Sequence, residues 1–192
     1  MAATLCSFAG TLGVTPSPFD CWLAERGLHS FELRYDRAEA TAARLADALT
    51  SAPSVTSVVY PGRADHPDRA LAVDLFGARG GYLVTFTLAG GRAAANAFAR
   101  AVPQLAFAPT LGDVATTVSH PASSSHRGLD PAARRALGIT EGTLRLSVGI
   151  EEPDVLIAEV LAAINRAADN RATGDGAAAT GDGAAATGDG GQ

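Results

Sequence analysis

TLRLSVGIEE, residues Thr143 to Glu152, reads as a β-strand followed by an acidic exit. Leu144, Leu146 and Val148 alternate with Arg145, Ser147 and Gly149. Successive strand side chains point to opposite faces, so the leucines enter a core and Arg145 takes the other side. A guanidinium on such a strand is held rigidly, and its fork of donors fits a carboxylate bidentately, as a site for an amino acid requires. Periodicity alone favours a simpler reading, a solvated or salt-bridged arginine with Glu151 or Glu152 nearby.

Around this strand the chain alternates helices and short strands. Asp130-Pro131 starts a short helix through Leu137, stopped by Gly138, which leads into the Arg145 strand. Pro153 sits in the first turn of a last helix, where Leu156, Val160 and Ile164 form one row and Ile157 and Leu161 the adjacent one. Before them, LAFAPTLGDVATTVSHPASSSHRGL (Leu105 to Leu129) reads as a strand ending at Pro109, a turn over Thr110, Leu111, Gly112 and Asp113, and a strand-like stretch from Val114 to Val118. Loops at strand ends are common carriers of function.

Further back, Tyr82 to Leu88 and Val55 to Tyr60 are strands. Helices are expected from Phe31 to before Pro53, from His66-Pro67-Asp68 to about Phe76, and from Arg92 to Val102. Thr11 to Leu28 contains Ser17 as a helix cap and Phe19, Trp22 and Leu23 at helical spacing, which predicts a short buried helix ended by Gly27. Met1 to Gly10 reads as a loose lead-in. The element order predicts an α+β layer, a sheet covered by helices.

With 192 residues, 47% of them hydrophobic, the chain can bury one good core. A formal charge of -5 and the lack of a basic stripe argue against nucleic acid as a partner. MAATLCSFAG has no basic start, and no stretch approaches the roughly 18 apolar residues of a membrane span, so no membrane partner and a cytoplasmic location are expected. Cys6 and Cys21 have no metal or disulfide spacing and read as free thiols. All 15 basic residues are arginine. A mechanism that needs a protein Schiff base therefore cannot be completed by this chain alone.

After Asp169-Asn170 the sequence repeats ATGDGAA from Ala172 and Ala179, then ATGDGGQ from Ala186. A seven-residue period without apolar positions cannot bury a core, and the nonapeptide spacing of calcium repeats is absent, so a flexible tail is expected. No GxGxxG, P-loop, HExxH or GxSxG is written. His120 and His126 flank PASSS, which offers a hydrolase arrangement without a nucleophile elbow. His66, Asp68, His120 and His126 have no spacing that one element would enforce around a metal.

Four stretches in order, SPFDCWLAERGL (Ser17 to Leu28), VVYPGRADHPDR (Val58 to Arg69), TLGDVATTVSHPASSSH (Thr110 to His126) and LRLSVGIEEPDVLI (Leu144 to Ile157), resemble the C-terminal domain of the Cys/Met-metabolism family of pyridoxal-phosphate enzymes of fold type I. Cystathionine γ-lyase, cystathionine γ-synthase and methionine γ-lyase belong to that family. The resemblance covers about Thr11 to Ile164. It implies a small, mostly antiparallel sheet covered by helices over residues 11–168, with residues 1–10 as lead-in and 169–192 as tail. It also implies that Arg145 binds the substrate α-carboxylate and that Thr110 and Leu111, in the position of the family's SLGG turn, line the same site. This reverses the reading that periodicity alone favours. Thr110 replaces the family's serine, Asp113 its second turn glycine, and Pro109 the glutamate that often precedes the serine, so substrate choice within the family is open.

The resemblance implies pyridoxal phosphate as cofactor and a cofactor domain ahead of Thr11, with the Schiff-base lysine, the aspartate on the pyridine nitrogen and the phosphate-binding residues. None of these is written here, so no catalytic, cofactor-binding or metal residue is expected in this chain. The expected function is the substrate-recognition part of a trans-sulfuration enzyme, acting by γ-elimination or γ-replacement on cystathionine-like or homoserine-derived amino acids and inactive alone. The alternative is a non-catalytic remnant or a dimerisation or interaction module. Expected partners are a substrate carboxylate, the missing cofactor domain or a homologous subunit, and further copies of the chain through apolar surface that separation from that domain exposes.

Overall fold

The computed structural model describes residues 1–172 except Val14 and Ala78. In chain order the elements are α1 (Ala2–Leu12), α2 (Pro18–His29), α3 (Phe31–Thr50), β1 (Val55–Val59), α4 (Arg69–Phe76), β2 (Leu83–Leu88), α5 (Gly91–Ala101), β3 (Ala106–Phe107), β4 (Thr117–Ser119), α6 (Pro131–Ala136), β5 (Thr143–Ser147) and α7 (Pro153–Ala172). A 3-10 turn, Pro121–Ser123, follows β4. The five strands form one sheet in the order β1-β2-β5-β4-β3, antiparallel except for the β3–β4 pair.

The two faces of the sheet divide as the alternation requires. Val84, Phe86, Leu88, Val118, Leu144 and Leu146 are buried on one face, where α3, α5 and α7 cover them with Leu45, Leu49, Phe98, Leu156, Val160 and Ile164. Phe86 and Phe98 meet edge to face at 5.5 Å. Each large side chain buried there contributes about 1.5–3 kcal/mol. The opposite face carries Thr85, Thr87, Thr117, Ser119, Thr143, Arg145 and Ser147, and β5 runs down its middle.

Several boundaries differ from the sequence expectation. The first ten residues are not a loose lead-in: Met1 is the N-cap and Ala2–Gly10 lie in α1, which draws on three alanines and two leucines and is closed by Gly13 in the left-handed region at φ 68. Helix α2 begins as expected, with a capping box between Ser17 and Asp20, but runs through Gly27 to His29. It is not buried. Phe19 is 63% and Trp22 51% exposed, because no other part of the described chain packs on that side. Residues 114–116 are not a strand. The β4 ladder starts at Thr117, and β5 ends at Ser147 rather than Glu152. The segment His66–Asp68 forms a turn ahead of α4, and α7 continues past Asp169 to Ala172. The rest of the repeat tail lies outside the described residues. Among the described residues no helix is long and apolar enough to cross a membrane.

Candidate functional site

Arg145 is partly exposed on the polar face, between Thr85 of β2 and Ser119 of β4. Both carboxylates offered by the sequence as its partners are engaged elsewhere. Glu151 accepts the N–H of Thr116 and, at 2.8 Å, its hydroxyl. Glu152 pairs with Arg37 at 2.8 Å. Six other arginines, Arg37, Arg44, Arg63, Arg79, Arg92 and Arg134, hold carboxylates. Among the described residues none is paired with the Arg145 guanidinium, which leaves its donors directed at whatever reaches this face. The salt-bridged reading is therefore corrected.

The turn from Thr110 to Asp113 is fastened beside it. The Gly112 N–H donates to Ser147 Oγ at 3.2 Å, and Thr117 Oγ1 donates to the Thr110 carbonyl at 3.4 Å. Ser147 and Thr117 are themselves cross-strand partners. Ser147 stands two positions along β5 from Arg145, roughly 7 Å away on the same face. The structure thus brings Thr110 and Leu111 to the face that carries Arg145, with Leu111 54% exposed. Gly112 sits at φ +78, a region that favours glycine, and an added Cβ would also lie 3.3 Å from the Tyr82 hydroxyl. Asp113 turns its carboxylate onto its own backbone, accepting the Ala115 N–H at 3.2 Å.

Tyr35 and Tyr82 meet edge to face at 5.7 Å and floor a shallow cavity beside the turn, walled by Gly112, Asp113, Val148 and Ile150. The start of β2 is fixed from below. Glu39 accepts the N–H groups of Gly80 and Gly81 at 2.6 and 2.9 Å, and Tyr60 donates its hydroxyl to the Gly81 carbonyl at 2.9 Å. Burial, with Glu39 adding to it, pushes the Tyr60 phenol up to about 12.

The histidines do other work. His120 is only 3% exposed. Its Nε2–H donates to the Glu141 carbonyl at 2.9 Å while Nδ1 lies 2.8 Å from Ser123 Oγ, so the ring ties the turn after β4 to the loop before β5. His126 stands apart, against Ser125 at 2.8 Å. The hydrolase arrangement is thus split between a buried structural ring and a surface pair. Among the described residues no three His, Cys, Asp or Glu side chains gather as metal ligands.

Apart from the alternation that puts Ser147 on the face of Arg145, nothing in the sequence marks the hydroxyls of Ser147, Thr116 and Thr117, which fasten the turn, as site residues.

This α+β architecture is shared with pyridoxal-phosphate enzymes of known structure. It matches the cystathionine gamma synthase from Xanthomonas oryzae pv. oryzae solved with cystathionine, with a TM-score of 0.78 and 37% identity over 88% of this chain and 43% of that one. It matches the cystathionine gamma-lyase from yeast with a TM-score of 0.77 and 34% identity over 82% of this chain and 41% of that one. Among curated relatives, L-methionine gamma-lyase of Pseudomonas putida is 39% identical over 156 residues, which are 81% of this chain and 39% of that protein. The profile of Cys/Met metabolism PLP-dependent enzymes matches residues 2–165, and the chain belongs to that family. It spans about 40% of the length of the curated relatives it matches.

Pyridoxal phosphate is the family's cofactor. The residues of this chain do not fit its covalent attachment, because no lysine is present and the only amine is that of Met1, which is fully exposed on α1's N-cap.

Proposed function

We propose that this chain is the C-terminal, substrate-recognising domain of a trans-sulfuration enzyme, and that a cofactor domain from elsewhere completes it. The observation that carries the reading is Arg145, a partly buried guanidinium without a partner among the described residues, beside the Thr110–Asp113 turn. In this reading Arg145 grips the α-carboxylate of an amino acid through two parallel N–H bonds, which fixes both the position and the rotation of the substrate. Thr110 and Leu111 line the path of its side chain.

The relatives named for cystathionine, methionine and O-succinylhomoserine support γ-elimination or γ-replacement on such amino acids as the chemistry of the complete enzyme. Alone, the chain orients a carboxylate but offers no lysine to activate Cα. The apolar outer sides of α1 and α2 are then the surface that the cofactor domain or a homologous subunit covers. The same surface is what favours the second reading, a module that only mediates association.

Pyridoxal phosphate is titrated into the purified chain, followed by borohydride reduction and mass mapping. The expected result is no reduced adduct on any internal side chain, and an internal adduct overturns the assignment of catalytic incompetence. Titration with an unreactive amino acid such as L-norleucine tests Arg145, with binding that is lost in Arg145→Lys as the expected outcome and binding that is insensitive to it as the contrary one.

A further inference from the structure

We infer that Glu151 is a positioning residue, which sets where the Thr110–Asp113 turn stands relative to Arg145 by locking Thr116. The inference rests on the reading of Arg145 as a carboxylate site. The turn has two roots. On its incoming side the Ala108 N–H donates to the Val118 carbonyl at 2.9 Å, an extension of the β3–β4 pairing. On its outgoing side there is no ladder, since residues 114–116 precede β4 and residues 149–151 follow β5.

Side chains replace the ladder there. Glu151 receives both donors of Thr116, its N–H and its hydroxyl. The oxygen of that hydroxyl in turn accepts the Gly149 N–H at 2.9 Å. Beside it the Ile150 N–H donates to the Val114 carbonyl at 2.9 Å. Thr116 is buried, so its two donors have no water to fall back on and the carboxylate is their acceptor. The approach is close enough to exclude a side chain at Gly149, where a Cβ would lie 2.4 Å from the Val114 carbonyl oxygen.

Both oxygens of the carboxylate are used. Thr116 presents two hydrogens, and the carboxylate meets each with a separate oxygen, the N–H at Oε1 and the hydroxyl at Oε2. Glutamine keeps one acceptor and turns a donor toward the hydroxyl. The acidic residue that looks from sequence like a partner for Arg145 therefore serves it indirectly, by fixing the turn that Arg145 faces.

The test combines amide hydrogen exchange with L-norleucine titration on the full chain and on Glu151→Gln, Thr116→Val and Thr116→Ser. A hydrogen bond to a charged acceptor corresponds to about tenfold or more in an equilibrium. In Glu151→Gln and Thr116→Val, exchange at Gly112 and Gly149 is expected to rise about tenfold while Leu144 and Leu146 keep their protection, and norleucine is expected to bind about tenfold more weakly. Thr116→Ser, which retains the hydroxyl, is expected to behave as the parent. Unchanged exchange at Gly112 in both disruptive variants overturns the inference. Faster exchange without weaker norleucine binding overturns the positioning role. If the parent chain shows no norleucine binding that Arg145→Lys removes, the carboxylate reading itself fails. Exchange at Gly112 then still decides whether Glu151 holds the turn.

Discussion

The Gly112 amide donates to Ser147 Oγ at 3.2 Å, and through that bond the turn that carries Thr110 and Leu111 is carried by the same strand as Arg145. One strand therefore supplies both the fixed charge and the anchor of the loop beside it. Replacing Ser147 by alanine removes the anchor and leaves the charge. The expected result is roughly fivefold weaker amino-acid binding, the equivalent of one ordinary hydrogen bond of about 1 kcal/mol. Calorimetric titration with L-norleucine checks it.

Arg145 behaves differently from the other strand residues. It has no internal partner among the described residues, so its truncation leaves no orphaned carboxylate behind. Arg145→Ala is expected to change stability by about 0.5 kcal/mol or less while abolishing amino-acid binding. Paired denaturant melts and titrations measure both quantities, and a large loss of stability counts against a free guanidinium.

Tyr60 predicts an alkaline limit. Its phenol is raised from 10.0 to about 12 by burial, and a group whose folded value is raised stabilises the fold below its unfolded value and loses that contribution as pH rises through the folded one. Stability is expected to be unaffected by Tyr60 below about pH 10 and to fall by roughly 2 kcal/mol by about pH 12. Tyr60→Phe removes that dependence together with the bond to Gly81. Urea melts from pH 9 to pH 12 on both forms test it.

Gly149 and Gly128 form a matched pair. A methyl group at Gly149 meets the Val114 carbonyl, whereas one at Gly128 meets nothing within 4 Å. Gly149→Ala is expected to cost about 1–3 kcal/mol as an overpacked site, with Gly128→Ala near neutral. Equal melting behaviour of the two contradicts the close approach of the two segments.

The outer helices predict self-association. Leu5, Phe8, Phe19 and Trp22 are exposed on α1 and α2, neither of which has a buried residue. Isolated helices of this length are marginal in water, so contact with another surface stabilises them. Sedimentation of the chain is expected to show oligomers that Phe8→Ser with Trp22→Ser disperses. Trp22, the only tryptophan, reports the contact through a blue shift of its emission with concentration. A monomer at all concentrations overturns the prediction.

The central strand was legible because both of its faces are written in the period of its residues, apolar at Leu144 and Leu146 and polar at Arg145 and Ser147. The helices that cover the sheet were legible for the same reason. The burial of α2 was not. An apolar stripe at Phe19, Trp22 and Leu23 states which side of a helix avoids water, but not whether anything in the same chain comes to cover it. The fastening of the turn was illegible for a different reason. Serine and threonine hydroxyls take any partner that tertiary structure brings, so Ser147, Thr116 and Thr117 acquire their roles only when residues far apart in sequence meet. Glu151 was misleading on the same ground, because proximity in sequence suggested Arg145 and the fold supplied Thr116.

Of the five strands, β5 is the last to be synthesised and the one that lies in the middle of the sheet. Until residues 143–147 have left the ribosome, β2 and β4 have no strand between them, and each presents an open edge to neighbouring chains. Pairing Arg145 with Thr85 and Ser119 closes long loops, the kind of contact that makes folding slow. When it closes, the same strand seats Leu144 and Leu146 in the core. Core and arginine face thus share one strand, and a nascent chain that stops short of Thr143 lacks both the centre of its sheet and its arginine.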